Sequence, residues 1–197
     1  MRLLAVALCG FTAVLTGCQS TSVKTVWRAS SPPPPHQFSK VVALVLNATP
    51  AERRAAEDEL ARQIRSAQSI PAYSIIPDEE LTDRDKLEEE LKKNNADGLV
   101  VLRLVATDKS TTYYPPTFSN EGAYAYTSAI NAGPVYRGGY TVTTVVIRGE
   151  VSVYEVKSGT LLWAGSSTTS DPTDIQDLVA QVARATREEL VKEGLLR

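Results

Sequence analysis

The stretch Lys40-Val41-Val42-Ala43-Leu44-Val45-Leu46, with Asn47-Ala48-Thr49-Pro50 behind it, decides the fold. Its unbroken apolar run predicts a strand buried on both faces, as parallel strands are. Thr49-Pro50 reads as a helix N-cap with proline at the first helical position. A helix is predicted from Pro50 to about Ala67. Ala56, Leu60, Ile64 and Ala67 repeat at helical spacing, while Arg53, Arg54, Glu57, Asp58 and Arg62 cover the other side.

Further elements follow downstream. Ala72-Tyr73-Ser74-Ile75-Ile76, bounded by Pro71 and Pro77, reads as a second short strand. Asp83 is placed to cap a second helix from Arg84 to about Asn94, with Leu87 and Leu91 inward and Gly98 beyond its end. Its Glu88-Glu89-Glu90 and Lys92-Lys93 runs read as a solvated face. Leu99 to Ala106 form a third apolar strand that Arg103 interrupts. A buried arginine needs a partner, and a carboxylate such as Glu150 would serve; an anion-binding role is the alternative. Thr141 to Val156 read as one long strand, bulged near Gly149. Lys157-Ser158-Gly159 turns it, and Thr160 to Ser167 return antiparallel with Trp163 in the core. Asp171-Pro172 opens a third helix to about Glu193, its apolar stripe being Ile175, Leu178, Val182, Ala185 and Leu190.

The order is therefore β-α-β-α-β, a long antiparallel β-hairpin and a C-terminal helix. The fold class expected is α/β (α+β), three helices packed on one mixed sheet. One domain is expected over 39–197, interrupted by a Tyr/Gly/Ser-rich insertion at 110–139. Six of the eight tyrosines lie from Tyr113 to Tyr140, in a segment too long for an ordinary connection.

Upstream of the domain, Gln19 to about Phe38 read as a tether. Its four consecutive prolines, Pro32 to Pro35, predict a semi-rigid polyproline spacer. Val26-Trp27 either packs back on the domain, the favoured reading, or lies near a membrane surface. The chain begins with Arg2, an apolar run from Leu3 to Leu15, and then Leu15-Thr16-Gly17-Cys18. The run is roughly 13 residues, short of the ~20 that span a bilayer as a helix. This start resembles a bacterial lipoprotein signal peptide with its lipobox. The resemblance implies removal of residues 1–17 and lipidation of Cys18, giving acyl chains enough for stable anchoring. Gln19, rather than aspartate, after the cysteine implies the outer membrane, with the domain facing the periplasm. An ordinary signal peptide cut elsewhere is the alternative.

Composition excludes several chemistries. The 21 basic and 23 acidic residues leave no basic excess for nucleic acid. The two cysteines are Cys9, in the signal, and Cys18, under lipid, so neither a disulfide nor a thiolate nucleophile is expected. His36 is the sole histidine and sits beside the prolines, which leaves no catalytic triad or multi-histidine metal site. No Gly-rich phosphate loop or nucleophile elbow appears, and no cofactor is expected. Asp97, Glu150 and Asp171 are the carboxylates left for a hydrolase that works with carboxylates alone.

A wider pattern runs along the chain. Trp27-Arg28, Phe38-Ser39-Lys40-Val41-Val42-Ala43-Leu44, Arg53 with Glu57-Asp58, Pro71 to Pro77, Asp97-Gly98 and Leu161-Leu162-Trp163-Ala164-Gly165 resemble a family of uncharacterised bacterial outer-membrane lipoproteins. The element order is also similar to the TolB N-terminal domain and the CsgG periplasmic domain, a likeness of topology that brings no function. The family brings no catalytic residues to transfer, and the anchor, the spacer and the tyrosine-rich segment point to a non-catalytic binding or structural module of the cell envelope. Its partners would be the bilayer, through Cys18, and envelope proteins, through the 110–139 segment. Tyr113, Tyr114, Tyr124, Tyr126 and Tyr136 are the candidate contact residues, since tyrosine gives large rigid area with a polar tip. A self-packed insertion without a partner, a CsgG-like secretion or pore component, and a carboxylate hydrolase are the alternatives.

Overall fold

A computed structural model of the chain describes residues 20–30, 38–81, 83–119 and 135–193. The decisive stretch is a strand, β2 (Lys40–Leu46), and Val41 to Val45 are each at most 3% exposed. Both of its faces are therefore covered. Ala43 and Val45 pack with Leu102, Val151 and Trp163 under helices α1 (Pro50–Gln63) and α3 (Ile175–Lys192). Val42 and Leu44 face the other way, toward Ile76 and toward Leu91 of α2 (Arg84–Lys93).

The remaining strands are β1 (Ser20–Arg28), β3 (Gln68–Pro71), β4 (Gly98–Tyr114), β5 (Thr117–Ser119), β6 (Val135–Arg137), β7 (Tyr140–Glu155) and β8 (Thr160–Ser170). Six of them make one mixed sheet in the order β1-β8-β7-β4-β2-β3. The β2 strand runs parallel to β3 and β4; the other pairings are antiparallel. Strands β5 and β6 pair apart from it. The architecture is the expected one, three helices with one open mixed sheet.

Capping is local and legible. Thr49 and Glu52 form a reciprocal capping box on α1, and Asp83 accepts from two backbone N–H groups of α2. For α3 the cap is Asp174, which accepts from Asp177 N, so the helix starts at Ile175, just beyond Asp171-Pro172.

Several readings are corrected. The stretch read as a tether is in part a sheet strand: β1 pairs with β8 from Ser20↔Ser170 to Arg28↔Trp163. Its Thr21 hydroxyl donates to Gln181, Thr25 hydroxyl bonds Glu189, and Arg28 pairs with Glu193, all on or just beyond α3. Trp27 is nevertheless 44% exposed and not core. Little in Ser20-Thr21-Ser22-Val23-Lys24 marks a strand: only Thr21, Val23 and Thr25 turn toward the covered face, and a single one of them is apolar.

The second strand lies earlier than expected, at Gln68–Pro71, and Ala72–Ser74 is a 3₁₀ turn. The turn is held because the Glu57 carboxylate accepts from Tyr73 N at 2.6 Å, which removes that donor from any ladder. Helix α1 stops at Gln63 rather than near Ala67. The largest difference is in the insertion: β4 does not end at Ala106 but runs on to Tyr114, paired with β7 as far as Tyr140. The bulge expected in the Thr141–Val156 strand near Gly149 lies on the facing strand instead, where Val105 of β4 is the extra residue opposite Gly149 and Arg148.

Candidate functional site

Strands β4 and β7 leave the sheet together. The partner β2 ends at Leu46↔Arg103, and β8 ends at Ser170↔Val146. Beyond those points the two strands pair only with each other. From Lys109↔Val145 to Tyr114↔Tyr140 the ribbon carries six residues per strand past the sheet, roughly 20 Å at the usual rise. An isolated two-stranded ribbon is marginal by itself, so the way it is rooted decides whether it holds its direction.

Two residues grip the root. Asn47 follows β2 and donates from Nδ2 to the Leu104 carbonyl at 2.9 Å. Asp171 follows β8 and accepts from Val145 N at 2.7 Å, while its own N–H donates to the Val145 carbonyl at 2.7 Å. Each strand of the ribbon is thus held from its outer edge where its sheet neighbour stops. Asn47 and Asp171 both have positive φ, 63° and 50°. Asn and Asp tolerate that region best among residues with a side chain, and the turns let their side chains reach back to the ribbon.

The last paired position of the ribbon, before β5 and β6, is aromatic. Tyr114 and Tyr140 lie opposite each other and stack, with ring centroids 5.0 Å apart and planes 15° from parallel. Tyr113, Tyr114 and Tyr140 are 63%, 45% and 60% exposed, and Val142 on the same ribbon is 40% exposed. The Tyr113 hydroxyl end sits against Gly139, where a Cβ would collide with it. Of the candidate contact residues, Tyr113 and Tyr114 stand together at this end of the ribbon. Tyr136 lies in β6 opposite Phe118 by backbone register. Cys18, Tyr124 and Tyr126 lie outside the described residues, as do Pro32 to Pro35 and His36. Tyr140 was missed because a segment read as loop has no cross-strand partners. Treating Thr107 to Tyr114 as a continuing β-branched strand would have found it.

A cavity of about 670 Å³ opens at the ribbon root, lined by Asn47, Glu52, Val105, Asp171, Asp174 and Ile175 among others. It lies beyond the carboxyl end of β2, where open α/β sheets often place ligands. Its carboxylates are already occupied. Glu52 accepts from the Thr49 N–H and hydroxyl, and these bonds hold its pKa below the ordinary value. Asp171 is held by Val145 and Asp174 by Asp177.

The carboxylates considered for hydrolysis are not brought together. Asp97 accepts from Ser39 N and Lys40 N at the start of β2. Glu150 is exposed on β7, opposite Arg103, and Asp171 bonds five residues further along that strand. Five residues of strand span roughly 16 Å. Among the described residues Arg103 and Glu150 form no ion pair, although they are register partners.

The most buried ionic group lies elsewhere. Arg53 and Glu57 are 2% and 0% exposed and pair at 2.8 Å. Glu57 also accepts from Val45 N and Tyr73 N, while Arg53 reaches Asp78 and the Ile76 carbonyl. Burial pushes the Glu57 carboxyl up, against the pull of Arg53 and the two backbone donors. Every oxygen is used in joining α1, β2 and the turn after β3, so this group is a structural clasp. Among the described residues no cluster of three or more metal-ligating side chains occurs. No helix among them is long and apolar enough to cross a membrane, which leaves strand-built membrane passage unaddressed.

Fold and site together define an α+β domain with an open mixed sheet and a rooted, tyrosine-tipped ribbon. No family model matches the chain, and no curated protein matches it. Among solved structures the chain is similar to two PelC dodecamers from Paraburkholderia phytofirmans, one of them a point variant. These are 14% and 12% identical, with TM-scores of 0.44 and 0.43, covering 90% and 91% of this chain and 97% and 99% of theirs. It is also similar to lipoprotein GNA1162 from Neisseria meningitidis, at 12% identity and TM-score 0.41, covering 78% of this chain and 98% of that one. Likenesses this distant carry no residue role and no assembly over to this chain.

Proposed function

We propose that this chain is a lipid-anchored envelope lipoprotein whose ribbon is a protein-docking element and which has no catalytic activity. In this reading Cys18 carries the lipid, the domain faces the periplasm from the outer membrane, and the ribbon tip meets envelope proteins. The carrying observation is the rooted ribbon with Tyr113, Tyr114 and Tyr140 exposed at its end. Three exposed tyrosines on a held backbone offer contact area at low entropic cost. The open edges beyond Arg103 and before Val146 add unpaired backbone groups that a partner strand can meet.

Membership of the outer-membrane lipoprotein family, and the topological likeness to TolB and CsgG, belong to this proposal and bring no activity with them. A pore hairpin is disfavoured. Asp108, Ser110 and Thr112 interrupt one ribbon face, and Thr107, Lys109 and Thr111 the other, so neither is a continuous apolar band.

The test is photo-crosslinking in cells from position 113 or 142, with position 88 on α2 as control. Discrete adducts are expected from the ribbon and not from α2. Tyr114→Ser with Tyr140→Ser should cut their yield about tenfold, the scale of an interface hot spot. The same adducts from all three positions would refute docking through the ribbon. Palmitate-analogue labelling no greater in the wild type than in Cys18→Ser would refute the anchor.

A further inference from the structure

A second cavity lies at the other end of the sheet, between the sheet and the C-terminal halves of α1 and α3. Its volume is about 120 Å³. Val100, Leu102 and Val153 floor it, and Leu60, Ile64 and Leu190 wall it. An apolar cavity of similar size admits benzene and stays dry without it.

Its polar lining is Gln63, whose amide N–H donates to Glu59, together with Ser66, Thr186 and two arginines. Thr186 lines the cavity, is 7% exposed, and its buried hydroxyl has no hydrogen-bond partner. Leaving such a group unmet is costly, so it calls for an explanation. A lone water is a poor one, since a buried water wants two to four polar partners and the walls are mainly apolar. Arg65 and Arg187 line the same cavity, are exposed, and form no ion pair or hydrogen bond among the described residues. Of the other cationic side chains on the C-terminal halves of these helices, Arg62 pairs with Glu59 and Lys192 with Glu189, while Arg184 is exposed and forms no ion pair or hydrogen bond among the described residues. Two unpaired guanidiniums and a waiting hydroxyl at one apolar cavity match a group that only accepts, joined to an apolar chain.

We propose that this cavity binds a single-chain fatty carboxylate, its alkyl end between the helices and sheet and its carboxylate on Thr186, Arg65 and Arg187. The inference stands apart from the ribbon, which lies at the opposite strand ends, and either can fail without the other.

The experiment is calorimetric titration of the whole mature chain with octanoate, below its micelle concentration, alongside octanol and acetate. Octanoate binds with saturation at one site, and octanol and acetate bind at least tenfold more weakly. Arg65→Gln with Arg187→Gln, both on exposed side chains that leave the fold intact, weakens octanoate at least tenfold. Thr186→Val weakens it several-fold while raising the thermal midpoint of the empty protein, because the unmet hydroxyl is gone. Absence of saturable octanoate heat overturns the proposal. So does octanol binding as tightly as octanoate, or the double arginine variant binding unchanged.

Discussion

Strands β4 and β7 live in two environments. From Gly98 to Leu104 the β4 strand lies between helices, with β2 on one side and β7 on the other. From Thr107 to Tyr114 the same strand has one partner and no cover. The side chains change with the surroundings: Leu99, Val101 and Leu102 give way to Thr107, Ser110, Thr111 and Thr112. Both halves hold strand geometry, for different reasons. The lower half is held by burial, worth about 1.5–3 kcal/mol for a Leu or Val side chain. The ribbon is held by β-branched residues, cross-strand pairs and the root bonds of Asn47 and Asp171. Burial makes the first half rigid and silent; exposure leaves the second free to meet a partner.

That contrast can be broken most strongly inside a single strand. Leu102→Ala should lower stability by about 2–5 kcal/mol, the cost of a cavity under α1 and α3. Thr111→Ala, nine residues further along β4, should stay within about 0.5 kcal/mol. Urea unfolding of the two variants measures both. Comparable losses would mean that the ribbon carries fold stability and is not an appendage.

The root is the next point of leverage. Asp171→Ala removes the acceptor for Val145 N and puts a Cβ-bearing residue without a compensating side chain at φ 50°. A loss of about 1–2 kcal/mol is expected, from one hydrogen bond and one left-handed residue. Amide exchange should quicken at Val142 to Val146 while Val151 and Val153 stay protected. Uniform quickening would show that the clamp serves the whole sheet.

The smallest effect is the response to acid. The carboxyls of Glu52, Glu88 and Glu189 are held below their ordinary value by hydrogen bonds from Thr49, Lys92 and Lys192. At Asp177 burial pushes up, but bonds from Thr173 and Gln181 outweigh it. A folded value below the unfolded one means stability that is present above the ordinary carboxylate range and lost as pH falls through the folded value. Glu57 has the opposite sign: its contribution is present at low pH and lost as pH rises through its raised value. All five groups belong to the helices. Between about pH 5 and pH 3 the urea midpoint should therefore decline, with helical signal leading. Glu52→Gln with Glu189→Gln should flatten the decline. An unchanged slope would place the acid-sensitive groups elsewhere.

Much of the lower half was legible from residues alone. Val41 to Val45 read as a doubly buried strand and are one, and Thr49-Pro50 and Asp83 carry capping chemistry that works within a single turn. The candidate site was legible only in part. A tyrosine-rich segment was visible, and Tyr113 and Tyr114 were singled out, but their role as the end of a ribbon was not. Threonine and serine alternate there without an apolar face, and exposed pairing leaves no hydropathy signal. For the same reason β1 passed for a tether: two of its three inward residues, Thr21 and Thr25, are polar, and Trp163 Nε1 donates to the Thr25 hydroxyl.

The sequence by itself determined the buried strand, the caps of the first two helices and the mixed class of the fold, because each is written in the residue pattern of its own segment. Only the tertiary structure decided that Ser20 to Arg28 closes the sheet, that β4 and β7 outrun it, and that Thr186 faces a cavity without a partner. Those outcomes depend on which distant backbone stands alongside, and a polar residue in sequence reads the same whether its partner is solvent, another strand or nothing.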